Sequence, residues 1–281
     1  GHSKEKRSDC PLLTLGLVLD GSGFVRRSKV LPGNAVESHS LKGMLDALGA
    51  PPNALVVMDR GIATEANLVW LREAGHRYLV VSRERTRIMP EGEETVSTAK
   101  DDAIRVQRVV DEKGGEVRLY CHSPQRELKE AAISARFCKR FEAGLAKLVQ
   151  GLETPHGAKR PEVIQERIGR LKQASFGVGQ HYAITVETDV AGTRVTRLAW
   201  AKRPVENTML TAPGVYCLRS NETGWDAQRL HSAGCSLRRV CWKRCSAASN
   251  RNWGYAPSTT IRKSGLMVIS LSRCWPTSAY N

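Results

Sequence analysis

The stretch ALVVMDRGIATEANLVWLREAGHRYLVVS, residues 54–82, decides the fold. Ala54 to Met58 is an apolar run of strand length, of the kind buried on both faces, and it delivers Asp59, Arg60 and Gly61 at its C-terminal end. Thr64 to Ala74 reads as a helix with Gly75 as its stop, and Tyr78 to Ser82 as a second strand. Upstream, Leu12 to Leu19 closes on Asp20-Gly21-Ser22-Gly23, and Phe24 to Leu31 resumes until Pro32-Gly33-Asn34, which is the pattern of a β-hairpin. Between hairpin and strand, Ser38 is placed to cap a helix whose apolar stripe is Leu41, Met44, Leu45 and Leu48, ended by Gly49 and Pro51-Pro52. This succession predicts an α/β sheet with at least one parallel pair, preceded by antiparallel strands.

Beyond Arg83 the pattern changes. Ala103 to Val110 and Glu116 to Tyr120 read as paired strands about the turn at 111–115. Two charged helices come next, one about Gln125 to Val149 with Phe137, Phe141, Leu145 and Leu148 on a stripe, the other about Arg160 to Lys172 with Val163, Ile164, Ile168 and Leu171. Tyr182 to Val186 and Val195 to Ala199 form a further hairpin, and Gly214 to Leu218 a last strand.

The chain has 281 residues, 41% of them hydrophobic, so a sizeable core is expected rather than disorder. Lys and Arg total 43 against 28 Asp and Glu, a net charge of +15 that points to a polyanionic partner such as nucleic acid or a membrane surface. No apolar run reaches the roughly 18 residues of a spanning helix, and no signal-peptide core stands behind the basic opening GHSKEKRSDC. An intracellular, cytoplasmic location is expected. The eight Cys form no CxxC pair and no Cys/His ligand spacing, so free thiols are expected.

Asp59 is the best single candidate for chemistry, because a carboxylate at the C-terminal edge of a strand sits where α/β sheets place their sites. An isolated Asp there also serves as a cap or turn residue. Asp20 reads as a hairpin-turn residue. Lys4, Lys6, Arg7, Arg26, Arg27 and Lys29 could neutralise phosphates or form a plain solvated face.

A resemblance sharpens this reading. The opening GHSKEKRSDC, LGLVLDGSGF, the PGN at 32–34, VVMDRGIAT at 57–64 and LREAGHRYLVVSR at 71–83, in this order and spacing, resemble the DDE transposases of bacterial insertion sequences, in the broad IS-four family. The resemblance is dense over 1–83 and looser to about 230. It implies a partial ribonuclease-H-like core at 1–83, a mixed strand and helix insertion at 84–213, a return strand and connection at 214–230, and a basic tail at 231–281. It further implies DNA as partner, both transposon ends and target, a homo-oligomer in the full-length family, a nucleoid-associated place in a bacterial cytoplasm, and metal-dependent DNA cleavage and strand transfer. In that family three carboxylates hold two Mg²⁺ or Mn²⁺ ions that activate the nucleophile and stabilise the leaving oxygen. By the resemblance Asp59 matches the second carboxylate, catalytic and metal-binding, and Lys4, Lys6, Arg7 and Arg60 are candidates for DNA contact. The first carboxylate belongs to a strand preceding the GHSKEKR-like segment; Asp9 and Asp20 are poor substitutes. The third belongs to a helix after Gly214 to Arg219, and Glu222 and Asp226 come too early for it. Neither the first nor the third carboxylate is identified in this chain.

From His231 to Asn281 there is no Asp or Glu, while eight Lys or Arg, four Cys, three Trp and nine Ser are present. Read one base earlier, the Trp242-Lys243 codons must give Glu and Met267-Val268 must give Gly. With permitted degenerate bases, the stretches 242–257 and 266–277 can become EALFRSLESELGLRP and DGHLFISVLAY. Both peptides resemble the family's third-carboxylate helix and the segment after it. The expectation is a shifted frame from somewhere between about Asp226 and Cys241, an irregular tail, and a chain that is inactive by itself. The alternatives are an evolved basic DNA-binding arm, a noncatalytic DNA-binding or interfering fragment, and a gene remnant.

Overall fold

The computed structural model describes residues 12–20, 24–32, 35–58, 60–90, 94–97, 103–111, 115–235 and 265–274. The chain is mixed α/β and divides into two compact units, the first formed by 1–84, 90–121 and 216–281, the second by 85–89 and 122–215.

The first unit is built on a nine-stranded sheet. Its strands are β1 (Leu12–Asp20), β2 (Val25–Pro32), β3 (Leu55–Met58), β4 (Arg77–Val81), β5 (Glu94–Ser97), β6 (Ala103–Asp111), β7 (Glu116–His122), β10 (Val215–Ser220) and β11 (Gly265–Cys274), while β8 (Tyr182–Thr188) and β9 (Val195–Lys202) lie in the second unit. The order in the large sheet is β2-β1-β11-β3-β4-β10-β7-β6-β5. β1 and β2 form the expected antiparallel hairpin, with Asp20 accepting the Phe24 N–H at 3.0 Å and pairing with Arg26 at 2.9 Å, which is the turn role read for it. β3 and β4 are parallel, Val57 opposite Leu79.

Side-chain alternation along these strands feeds two apolar layers. Leu55, Val57 and Leu79 join Val117, Leu119, Leu218 and Leu230 on one face. Val56, Met58, Tyr78 and Val80 join Leu41, Met44, Leu45, Leu68 and Leu71 on the other. The second layer lies under α1 (Leu41–Leu48) and α2 (Glu65–Glu73), so β3 is buried along its whole length, as a parallel strand covered on both sides must be. α1 ends at Gly49, whose φ of +63° is a left-handed cap that favours glycine. Its start differs from expectation. Ser38 lies inside a 3-10 turn, Glu37–Ser40, and Ser40 is the capping position without a side-chain hydrogen bond, because the extra turn already ties this backbone. α2 begins one residue later than read, because Thr64 is its cap and accepts the Asn67 N–H at 3.2 Å.

Two further findings depart from the sequence reading. The strands at 94–122 belong to the large sheet, so the expected insertion 84–213 is divided, with its helices and the β8–β9 hairpin in the second unit. The tail is not irregular throughout: residues 227–235 form a helix, and β11 lies between β1 and β3. β11 pairs antiparallel with β1, Leu17 opposite Ile269, and parallel with β3, Val56 opposite Leu266. An apolar run supplies what a central strand needs on both flanks, whatever the composition around it.

The second unit packs α3 (Pro124–Glu153) and α4 (Pro161–Ala174) with the β8–β9 hairpin. Phe141, Leu145, Leu148, Ile164, Ile168, Val178, Tyr182, Val195 and Leu198 form its core. A Cβ at Gly144 would stand 2.6 Å from Leu171, so glycine sets the close approach of α3 to α4. The helix at 227–235 is α5. No helix among the described residues is long and apolar enough to cross a membrane.

Candidate functional site at the strand ends

Asp59, the central candidate, lies outside the described residues, as do Lys4, Lys6 and Arg7. The residues on either side of Asp59 are placed. Met58 ends β3, and Arg60 begins a turn whose guanidinium donates to the Arg83 carbonyl at 2.8 Å and the Glu84 carbonyl at 3.2 Å, both just beyond β4. Arg60 therefore ties the loop after β3 to the loop after β4. Further along, the Asn67 side-chain amide donates to the Ile62 carbonyl at 2.7 Å and the Ser38 carbonyl at 2.9 Å, while Ile62 and Ala63 are buried. The segment after Asp59 is thus held by side-chain hydrogen bonds at both ends before α2 is complete.

On the same strand-end side, sequence reasoning missed a charged cluster. Arg219 of β10, opposite Val80 of β4, donates Nε to Glu116 Oε1 at 2.5 Å and Nη2 to Glu116 Oε2 at 3.0 Å. Its outer edge holds Glu65, the first residue of α2, through Nη1 to Oε1 and Nη2 to Oε2, the latter at 3.1 Å. Tyr78 donates its hydroxyl to Glu116 at 2.7 Å, and Arg118 bridges to Glu84 at 3.0 Å. Burial, together with the Glu116 acceptor, pushes the Tyr78 hydroxyl above its ordinary range. The hydrogen bond from Arg219 holds the Glu65 carboxyl below its usual value despite some desolvation.

This arrangement has a clear chemical character. The planar guanidinium meets a carboxylate on each of two edges with four of its five N–H donors, so the Glu116 and Glu65 oxygens face Arg219. Among the described residues no group of three His, Cys, Asp or Glu is placed to hold a metal ion. The described residues do not form a two-metal donor set. Glu222 and Asp226 have other roles: Glu222 pairs with Arg77 at 3.6 Å, and Asp226 accepts the Arg229 N–H at 2.7 Å at the start of α5.

The remaining basic candidates divide similarly. Arg26 is ion-paired to Asp20 and Arg27 donates to the Ala47 carbonyl at 2.8 Å, while Lys29 is exposed on β2, an edge strand. Cys121, Cys138, Cys217 and Cys235 form no disulfide among the described residues. The only sequence signals for the Arg219 cluster are an Arg near the end of a strand and a Glu at the start of another, and neither is distinctive. Comparison with models of known protein families and with characterised proteins gave no match.

Proposed function

We propose that this chain is part of a DDE-type insertion-sequence transposase, with a ribonuclease-H-like core in its first unit, that binds DNA and does not cleave it alone. The observation that carries the reading is the parallel β3–β4 pair in one sheet with the antiparallel β1–β2 hairpin, β11 between them, and Asp59 following β3 in the sequence. That is where the resemblance places the family's second carboxylate. The family reaction is metal-dependent cleavage and strand transfer at transposon ends, and Asp59 would be one of the three carboxylates that hold Mg²⁺ or Mn²⁺ for it. Support for the inactive state is local: Glu65 and Glu116, two acids at this end of the sheet, are committed to Arg219. A single Asp does not fix two ions.

The test is nicking of a supercoiled plasmid carrying terminal repeats, in Mg²⁺ or Mn²⁺, by the chain and by Asp59→Ala. No nicking above the variant is expected. Nicking that Asp59→Ala abolishes would mean that other carboxylates complete the site, and the chain would be an active enzyme rather than a DNA-binding fragment. The nucleotide sequence tests the tail. Read one base earlier, codons 242–257 should encode the Glu-bearing peptide EALFRSLESELGLRP and codons 266–277 the peptide DGHLFISVLAY, and a stop codon in either contradicts the shifted frame.

A further inference from the structure

In the second unit Phe176 occupies a left-handed backbone conformation, φ +55°, with Gly177 after it at φ +87°. That conformation is unfavourable for a bulky L-residue, and it presents the ring to solvent: Phe176 is 66% exposed. The ring is not isolated. It stacks on Phe137 of α3, with centroids 5.2 Å apart and planes 15° from parallel. The Arg136 and Arg140 guanidinium carbons lie 5.4 and 5.7 Å from the Phe137 centroid, and both side chains are exposed, as is that of Lys172 at the end of α4. A protein core would have covered the outer ring. Here the outer ring, Phe176, is left exposed, while the two guanidiniums lie against the inner ring, Phe137.

We propose that Phe176 and Phe137, with Arg136 and Arg140, form a stacking platform for an unpaired nucleobase of single-stranded DNA. The base continues the ring stack on the open face of Phe176, and the flanking phosphates meet the arginines. Every nucleobase has a π-face, so the platform takes any base; the cations supply what an apolar protein partner would not need. This deepens the DNA-binding function proposed for the chain and rests on it.

The experiment measures fluorescence anisotropy of two labelled probes of about 12 nucleotides, oligothymidylate and an abasic strand of equal length, with the full chain. Their affinity ratio isolates base stacking from phosphate attraction. A preference for the base-containing strand of roughly 5- to 100-fold is expected, the equilibrium equivalent of stacking one base. Phe176→Gly, which suits the backbone conformation and so preserves the fold, should bring the ratio to about one and leave the abasic affinity unchanged. Arg136→Gln with Arg140→Gln should weaken both probes alike. An unchanged ratio in Phe176→Gly overturns the platform, and so does a concentration-dependent dimer that this variant abolishes, since the ring would then meet a second copy. If neither probe binds while duplex DNA does, the platform alone fails; if duplex DNA is not bound either, the proposed function fails with it.

Discussion

Arg219 and Glu116 form a two-pronged ion pair almost closed to solvent, Nε to Oε1 at 2.5 Å and Nη2 to Oε2 at 3.0 Å, with side chains 8% and 4% exposed. It ties β10 to β7, two strands separated by about a hundred residues of chain, at the end of the sheet where α2 begins. Removing one partner leaves a buried charge uncompensated, which costs about 3–5 kcal/mol. Arg219→Met should therefore destabilise the first unit by that order in urea unfolding. Arg219→Lys should recover little, since an ammonium cannot reproduce the fork that meets both carboxylates. A loss well under about 1 kcal/mol in either variant, the range of exposed pairs, would show that the cluster is solvated and structurally idle.

A second carboxylate sets a pH response in the other unit. Glu130 of α3 is desolvated, which pushes its carboxyl up, but hydrogen bonds from Arg87, the Gly214 N–H at 2.9 Å and Arg126 at 2.8 Å outweigh burial and hold it below its ordinary 4.5. A depressed folded value stabilises the fold fully above the unfolded pKa, and that contribution fades as pH falls through the lower folded value. Thermal unfolding of the full chain should lose stability below about pH 4.5, and Glu130→Gln should flatten that limb while lowering stability at neutral pH. An identical acid limb in the variant would place the proton uptake elsewhere.

Cys217 of β10 should resist alkylation. Burial, reinforced by the nearby Glu84 charge, pushes its thiol up to about 12, so the reactive thiolate is scarce at about pH 8. Mass spectrometry after iodoacetamide at that pH should find Cys217 unmodified in the folded chain and modified in urea. Prompt labelling without denaturant would contradict the packing of β10 against its neighbours.

Local pattern makes much of this fold legible. The apolar run before Asp59, the Leu41–Leu48 stripe and the Gly49 and Gly75 stops each act within a few residues, and each lies where the periodicity puts it. The hidden part is non-local. Nothing in Leu266 to Leu271 announces that it pairs with residues about 250 positions earlier, because strand partnering is set by register and available edges rather than by the run itself. Glu116 is an ordinary strand start as a sequence, and its burial depends on Arg219 and Tyr78 arriving from two other strands, with Glu65 on the far edge of the same guanidinium. β5 is four residues long with one buried side chain, too short to register as alternation. The Asp59 reading rests on strand position and family resemblance together, and Asp59 itself lies outside the described residues.

The most direct test of the central claim, that this is a DNA-binding part of a transposase, is the affinity for duplex DNA as a function of salt. A chain with a net charge of +15 that neutralises even four phosphates should lose roughly 100-fold in affinity between about 50 and 200 mM monovalent salt, through counterion release, with little difference between unrelated sequences. An affinity that does not change with salt, or no duplex binding at about 50 mM, would contradict the account.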